Sequence, residues 1–195
     1  MSINYIQLLK DGAIGVMPTD TIYGLLGLAL DKKTVQRIYR VRKRNPKKPA
    51  IVLIKSLNDL RVFGIKLNSK TKKILSNIWP GKISVILLCR NKKYPYLHRG
   101  TNTLAIRFPK DKQLIKILKE TGPLLAPSAN IEGSPHSLSI KDAKKYFGNK
   151  VFPEPNRLID FYIDKGILNG KPSTLISINN GRVIVLRQGS VRIKL

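Results

Sequence analysis

The sequence predicts an α/β domain built on a twisted, mixed β-sheet with flanking helices, and three observations predict it. Short apolar runs of strand length recur along the chain, stretches with helical spacing of apolar residues alternate with several of them, and Gly, Pro, Asn and Lys punctuate the joins. At 195 residues the chain is long enough for one substantial core, so one domain spanning residues 1–195 is expected.

In chain order, Ile3, Ile6, Leu8 and Leu9 predict a short opening helix, and Ala13 to Met17 a buried strand that Pro18 ends. Thr19 and Asp20 then read either as helix-capping groups or as part of a site. Asp31 is placed to cap a helix whose apolar Val35, Ile38 and Val41 share one face, with Arg37, Arg40, Arg42, Lys43 and Arg44 on the others. Pro46 and Pro49 stop it. Strands are expected at 50–54, 84–89, 104–108, 124–126, 158–163, 174–178 and 183–186, and helices at 69–78, 111–120 and 140–147.

Composition narrows the class. The longest apolar runs, Gly24 to Leu30 and Ser84 to Cys89, fall far short of the roughly 20 residues that cross a bilayer, so no membrane span is expected. Met1 to Asp11 lacks a basic segment, an apolar core and a small-residue cleavage site, and no signal peptide is expected. The single cysteine, Cys89, sits in an apolar run and predicts a buried thiol rather than a disulfide or a metal ligand. A net charge of +26, from 37 Lys and Arg against 11 Asp and Glu, suits polyanionic partners such as RNA, and equally suits a dispersed, solvated lysine surface.

The common catalytic signatures are missing: no GxxxxGK[ST], GxGxxG, HExxH or GxSxG, and no Cys/His set with zinc spacing. His98 and His136 stand alone in polar loops. What remains is a series of polar turns at the ends of apolar strands. They are Pro18-Thr19-Asp20-Thr21, Arg42-Lys43-Arg44, Trp79-Pro80-Gly81-Lys82, Thr103 to Arg107, Pro127-Ser128-Ala129-Asn130, Pro172-Ser173-Thr174 and Arg187-Gln188-Gly189. Any one of them alone is explained by turn capping or corner packing.

In their order along nearly the whole chain, these turns, with Ile22-Tyr23-Gly24-Leu25, Ala105-Ile106-Arg107 and Gly133, resemble the YrdC/TsaC family. The resemblance implies a YrdC-like domain with a basic concave cavity. It also implies a cytoplasmic L-threonylcarbamoyladenylate synthase, a nucleotidyltransferase joining L-threonine, bicarbonate and ATP, with Mg²⁺ on the triphosphate, and releasing pyrophosphate. The product would pass to downstream threonylcarbamoyl-transferase proteins that modify adenosine 37 of tRNA. Carried over by motif, Thr21, Arg107, Ser128 and Ser173 match threonine positions, and Arg42, Arg44, Lys48, Thr103, Asn130 and Arg187 match positions around ATP. No protein nucleophile is implied; Arg44 and Lys48 would position the reactants, and Arg44 would act mainly through its anionic ligand, so Arg44→Ala should leave the fold intact.

Departures from the family pattern are Asn45 where Pro is usual, Leu53 where longer members carry His, Asp20 for Glu, Ser84 for Thr and Lys82 for Pro. The extra C-terminal domain of the longer members is not expected after Arg187-Gln188-Gly189. Two other functions fit less of the sequence. A YciO-like relative shares the fold but not all site motifs, and a non-catalytic double-stranded RNA or tRNA binder explains the charge but not the hydroxyls.

Overall fold

The computed structural model describes residues 4–179 and 181–193; Ile3 of the expected opening helix lies outside them. Helix α1 (Tyr5–Lys10) starts where the Asn4 side chain accepts from the Gln7 amide at 3.1 Å. Strands β1 (Gly15–Pro18) and β2 (Tyr23–Leu28) form an antiparallel hairpin with Val16 opposite Leu25. Residues 19–22 are therefore a strand-to-strand turn and cap no helix. The sequence does not announce β2, because Tyr23 to Gly27 are buried without alternation and two glycines interrupt the run.

Helix α2 (Lys32–Val41) begins at the expected cap, Asp31 accepting from the amides of Lys33 and Thr34 at 3.0 and 3.1 Å. There follow β3 (Ile51–Leu53), α3 (Ser69–Ile78), β4 (Ile83–Leu88), α4 (Pro95–His98), β5 (Thr103–Arg107) and α5 (Lys112–Thr121). The chain continues through β6 (Leu124–Leu125), α6 (Ile140–Phe147), β7 (Phe161–Tyr162), β8 (Thr174–Asn179) and β9 (Arg182–Arg187). Helix α4 was not expected; four residues are too few to show a helical period. The strand expected at 158–163 shrinks to β7: Leu158 O accepts from Arg37 of α2, and Asp160 keeps one bond to the β1 side, its amide donating to Ile14 O at 2.9 Å, while its carbonyl accepts from the Phe152 amide.

The strands form one sheet in the order β7-β1-β2-β6-β3-β5-β4-β8-β9, parallel at β7·β1, β3·β5 and β4·β8 and antiparallel elsewhere. One face, carrying Val16, Leu25, Val52, Val85, Leu104, Ile106 and Ile176, is covered by residues of α2, α3, α4 and α6. The other face carries Met17, Leu26, Leu53, Leu124 and Phe161 and is covered by α1 and α5 on one half only. On the remaining half Leu88 and Ile184 stay 55% and 48% exposed, so the sheet is open there. Cys89 is fully buried and free, as expected. Among the described residues no helix is long and apolar enough to cross a membrane.

Candidate functional site

Where α5 stops covering the sheet, a cavity opens between the β1–β2 turn and the ends of β5, β6 and β8. Its lining includes Thr19, Thr21, Arg107, Ser128, Ser173 and Arg187, so all four residues assigned to threonine by resemblance share one wall-to-wall space. The parallel register sets Arg107 beside Leu53 at the end of β5. Ser128 is brought over the hairpin by a bridge to Gly24, with the Leu25 amide donating to Pro127 O at 2.8 Å and the Ala129 amide to Tyr23 O at 2.9 Å.

Ser173 is fixed from behind by a 2.8 Å hydroxyl contact with Ser84, a β4 residue buried on the same face. The turn at 187–191 folds against it because Thr174 Oγ1 accepts from the amides of Gly189 and Val191 at 3.1 and 3.2 Å. A Cβ at Gly189 would stand 2.2 Å from Pro172 O, and one at Gly170 would stand 2.0 Å from Thr21 O. Only glycine permits these approaches, which close the cavity's rim. Gly170 carries no sequence signal, since it lies in a polar loop without pattern.

Arg107 is almost wholly buried and Asp20 lies 3.0 Å from its Nη2, with each side chain 5% exposed. Burial raises the Asp20 pKa, against the pull of Arg107, while burial lowers that of Arg107, against the pull of Asp20. Nη1 of Arg107 donates to Thr21 Oγ1 at 3.2 Å, and its buried Nε has no partner. Arg187 lies close enough to lower the Arg107 pKa further, and burial lowers that of Arg187, with Arg44 adding to it. Arg107, Arg187 and Arg44 thus follow one another as neighbouring cations, with Asp20 against Arg107 and Glu132 against Arg44.

The residues assigned to ATP divide differently. Arg187 lines the cavity and donates to Ser173 O at 2.9 Å. Arg42 and Asn130 stand behind Ser128 and contact protein groups instead of lining the cavity: Arg42 is 3% exposed, donates from Nε to Asn130 O at 3.0 Å and from Nη2 to Asn130 Oδ1 at 2.9 Å. Burial, helped by Arg44, brings its pKa down to about 10. Thr103 lies at the far end of β5, four residues from Arg107 but on the same sheet face, about 13 Å along the strand.

Arg44 is less free than the sequence suggested. It donates to Lys48 O at 3.2 Å and Pro49 O at 2.8 Å and lies 3.6 Å from Glu132, which also stands 3.9 Å from Lys48 Nζ and accepts from the Asn45 amide. Burial would raise the Glu132 pKa, but the Asn45 amide, Arg44 and Lys48 together hold it below the usual range. Asn45 closes the turn by hydrogen bonds, its amide donating to Glu132 and its Oδ1 accepting from the Lys47 amide at 2.9 Å. We expect Arg44→Ala to loosen loop 44–49 as well as weaken anion binding, correcting the expectation of an intact fold. Two lost backbone contacts to a charged donor should cost about 1.5–3 kcal/mol, read as a fall in melting temperature of roughly 3–10 °C.

Leu53 is fully buried under α5. The residues that sequence reasoning left unassigned but the geometry draws in are Thr19, Asp20, Ser84 and Gly170. Asp20 and Ser84 were visible only as substitutions within motifs.

Comparison with known proteins agrees with this architecture. The family model named Sua5, YciO and YrdC, described by the words telomere recombination, matches residues 7–189. The threonylcarbamoyl-AMP synthase of Pyrococcus abyssi is 28% identical over 185 residues, 94% of this chain. The chain spans about half the length of that curated relative, 52%. The threonylcarbamoyl-AMP synthase of Buchnera aphidicola is 28% identical over 187 residues, covering 93% of each chain. The crystal structure of P. abyssi Sua5 complexed with L-threonine superimposes with a TM-score of 0.81 at 27% identity, over 95% of this chain and 53% of that one. With the family model spanning the hairpin turn, the β5 arginine and the β8–β9 rim alike, the chain belongs to the Sua5/YciO/YrdC family.

Proposed function

We propose that this chain is a threonylcarbamoyl-AMP synthase, an ATP-dependent nucleotidyltransferase acting on L-threonine and bicarbonate for tRNA modification in the cytoplasm. The observation that carries the reading is the single cavity uniting Thr21, Arg107, Ser128, Ser173 and Arg187. A relative that is similar over 95% of this chain has been crystallised with L-threonine. In this reading the threonine carboxylate pairs with buried Arg107, whose Nε has a donor to spare. Arg187 bridges toward the nucleotide, and Arg44 and Lys48 take the triphosphate, with Thr103 further along the open sheet face.

The chemistry asks for positioning rather than a protein nucleophile. Threonine's free amine adds to bicarbonate and loses water to give a carbamate. A carbamate oxygen then attacks the α-phosphorus as pyrophosphate leaves. Arginines held in place by the fold need little reorganisation as charge shifts onto the leaving group. Mg²⁺ would arrive on the triphosphate as part of the substrate, bound mainly by phosphate oxygens and water.

Pyrophosphate release should require ATP, L-threonine and bicarbonate together. Omitting each in turn tests this directly, and release that persists without threonine would overturn the reading.

A further inference from the structure

The hydroxyls of the cavity are ordered in one direction, and that direction decides what they present to a ligand. Thr19 Oγ1 lies 2.7 Å from the Ile22 carbonyl oxygen, which can only accept, so the single Thr19 proton is committed there. Thr19 Oγ1 also accepts from the amides of Thr21 and Ile22, at 3.2 and 3.3 Å, and with its proton given to Ile22 the shorter 3.0 Å contact with the Thr21 hydroxyl is read as running from Thr21 to Thr19, sharing those lone pairs. Arg107 Nη1, 3.2 Å from Thr21 Oγ1, can only donate. Thr21 has therefore given its proton away from the cavity and retains one free lone pair.

The opposite wall repeats the pattern. Asn130 Nδ2 donates to the carbonyls of Ile131 and Ser134 at 2.9 and 2.6 Å, which fixes the amide and makes Oδ1 the acceptor. Arg42 Nη2 donates to that oxygen at 2.9 Å, and the Ser128 hydroxyl donates to it at 2.6 Å. Arg42 Nη2 also lies 3.2 Å from Ser128 Oγ, so Ser128 too has a spent proton and one lone pair left. Ser173 differs, because its contact with Ser84 can run either way and leaves it free to donate.

We propose that Thr21 and Ser128 face the amino-acid ligand as acceptors only and select it for hydrogen-bond donors, its side-chain O–H and its N–H, with Thr19 as the positioning residue that fixes the polarity of Thr21. The proposal rests on reading the cavity as the threonine site. A carboxylate set against Thr21 and Ser128 would meet lone pairs with lone pairs, so it is directed to Arg107, Arg187 or Ser173. A ligand with no hydroxyl would leave an acceptor unpaired, the kind of mismatch that discriminates far more strongly than a lost methylene.

The test is kcat/KM for pyrophosphate release with L-threonine and with L-2-aminobutyrate, which differ only in the hydroxyl. The native protein should prefer threonine by about a hundredfold, less than a sealed pocket would give because this cavity is open to water. Thr21→Val or Ser128→Ala should cut that preference about tenfold or more, because one of them removes the acceptor that reads the hydroxyl. Thr19→Val frees the Thr21 proton to turn inward and should also lower the preference, with the KM for ATP within about twofold of native; Thr19→Ser, which keeps the acceptor, should restore it. A native preference near one, or a native-sized preference in Thr21→Val, Ser128→Ala and Thr19→Val alike, overturns the assignment while leaving the threonine site standing. Pyrophosphate release by the native protein that ignores threonine overturns the site reading, and the assignment with it. Should Thr19→Val fail to fold, Thr21→Val and Ser128→Ala decide.

Discussion

Arg107→Ala should give the largest loss of all single changes, a fall in both threonine use and stability. Its guanidinium and the Asp20 carboxylate are each 5% exposed and 3.0 Å apart. Removing one member of a buried pair strands the other charge away from water, at a cost of about 3–5 kcal/mol. For a domain of this size that lowers the melting temperature by roughly 10 °C. Threonine would lose charge-assisted contacts to its carboxylate, so kcat/KM for threonine should fall at least about a hundredfold. The two effects separate in the double substitution Asp20→Asn with Arg107→Gln, which replaces a charged pair by a neutral one of similar shape. Thermal unfolding should recover toward native for that variant, because no charge is left stranded, while pyrophosphate release stays low. Recovery of both would mean that Arg107 serves the fold alone.

The sequence made the scaffold legible wherever apolar residues follow one period. Helices α3 and α6 begin and end where their pattern does, and Asp31 caps α2 as its spacing before Val35 implies. It failed at β2, whose burial on both faces erases alternation, and at β7, where the carbonyl of Leu158 is turned to Arg37 and that of Asp160 to the Phe152 amide. Thr21, Arg107, Ser128 and Ser173 were legible only through the family resemblance, and the fold gathers them in one cavity because each lies at or beside a strand end. Arg42 and Asn130 show what a motif cannot tell. Both belong to the right turns, yet three dimensions place them behind Ser128, where they orient it. Asp20 could not be distinguished from a turn residue until β5 delivered Arg107 beside it across 87 positions of chain.

Asp160→Asn should be the second most damaging single change, for reasons far from the cavity. Its carboxylate, 2% exposed, accepts from Arg157 Nε at 2.6 Å, from Arg37 Nη2 at 3.0 Å and from the Ile14 amide at 2.8 Å. It thereby fastens α2, the entry to β1 and the 157–160 turn to one another. Burial alone would raise its pKa, but Arg37, the Ile14 amide and Arg157 outweigh it and hold Asp160 below the ordinary aspartate value of 3.8. The sign follows from that depression. The unfolded chain takes up the proton more readily, so the ionised carboxylate stabilises the fold fully above the unfolded value near 3.8, and the contribution is lost as pH falls through the lower folded value. The Asn variant keeps an acceptor but no charge between two arginines, and we expect it to lose about 3 kcal/mol at neutral pH. Asp31, Asp142 and Glu132 are depressed in the same direction, so the wild-type slope on acidification is shared. The difference between native and Asp160→Asn stability isolates one group. Measured by denaturant unfolding between pH 7 and pH 2, that difference should stay constant down to about pH 4 and narrow below it. A difference that held its full size at the acid end would show that Asp160 acts by shape and not by charge.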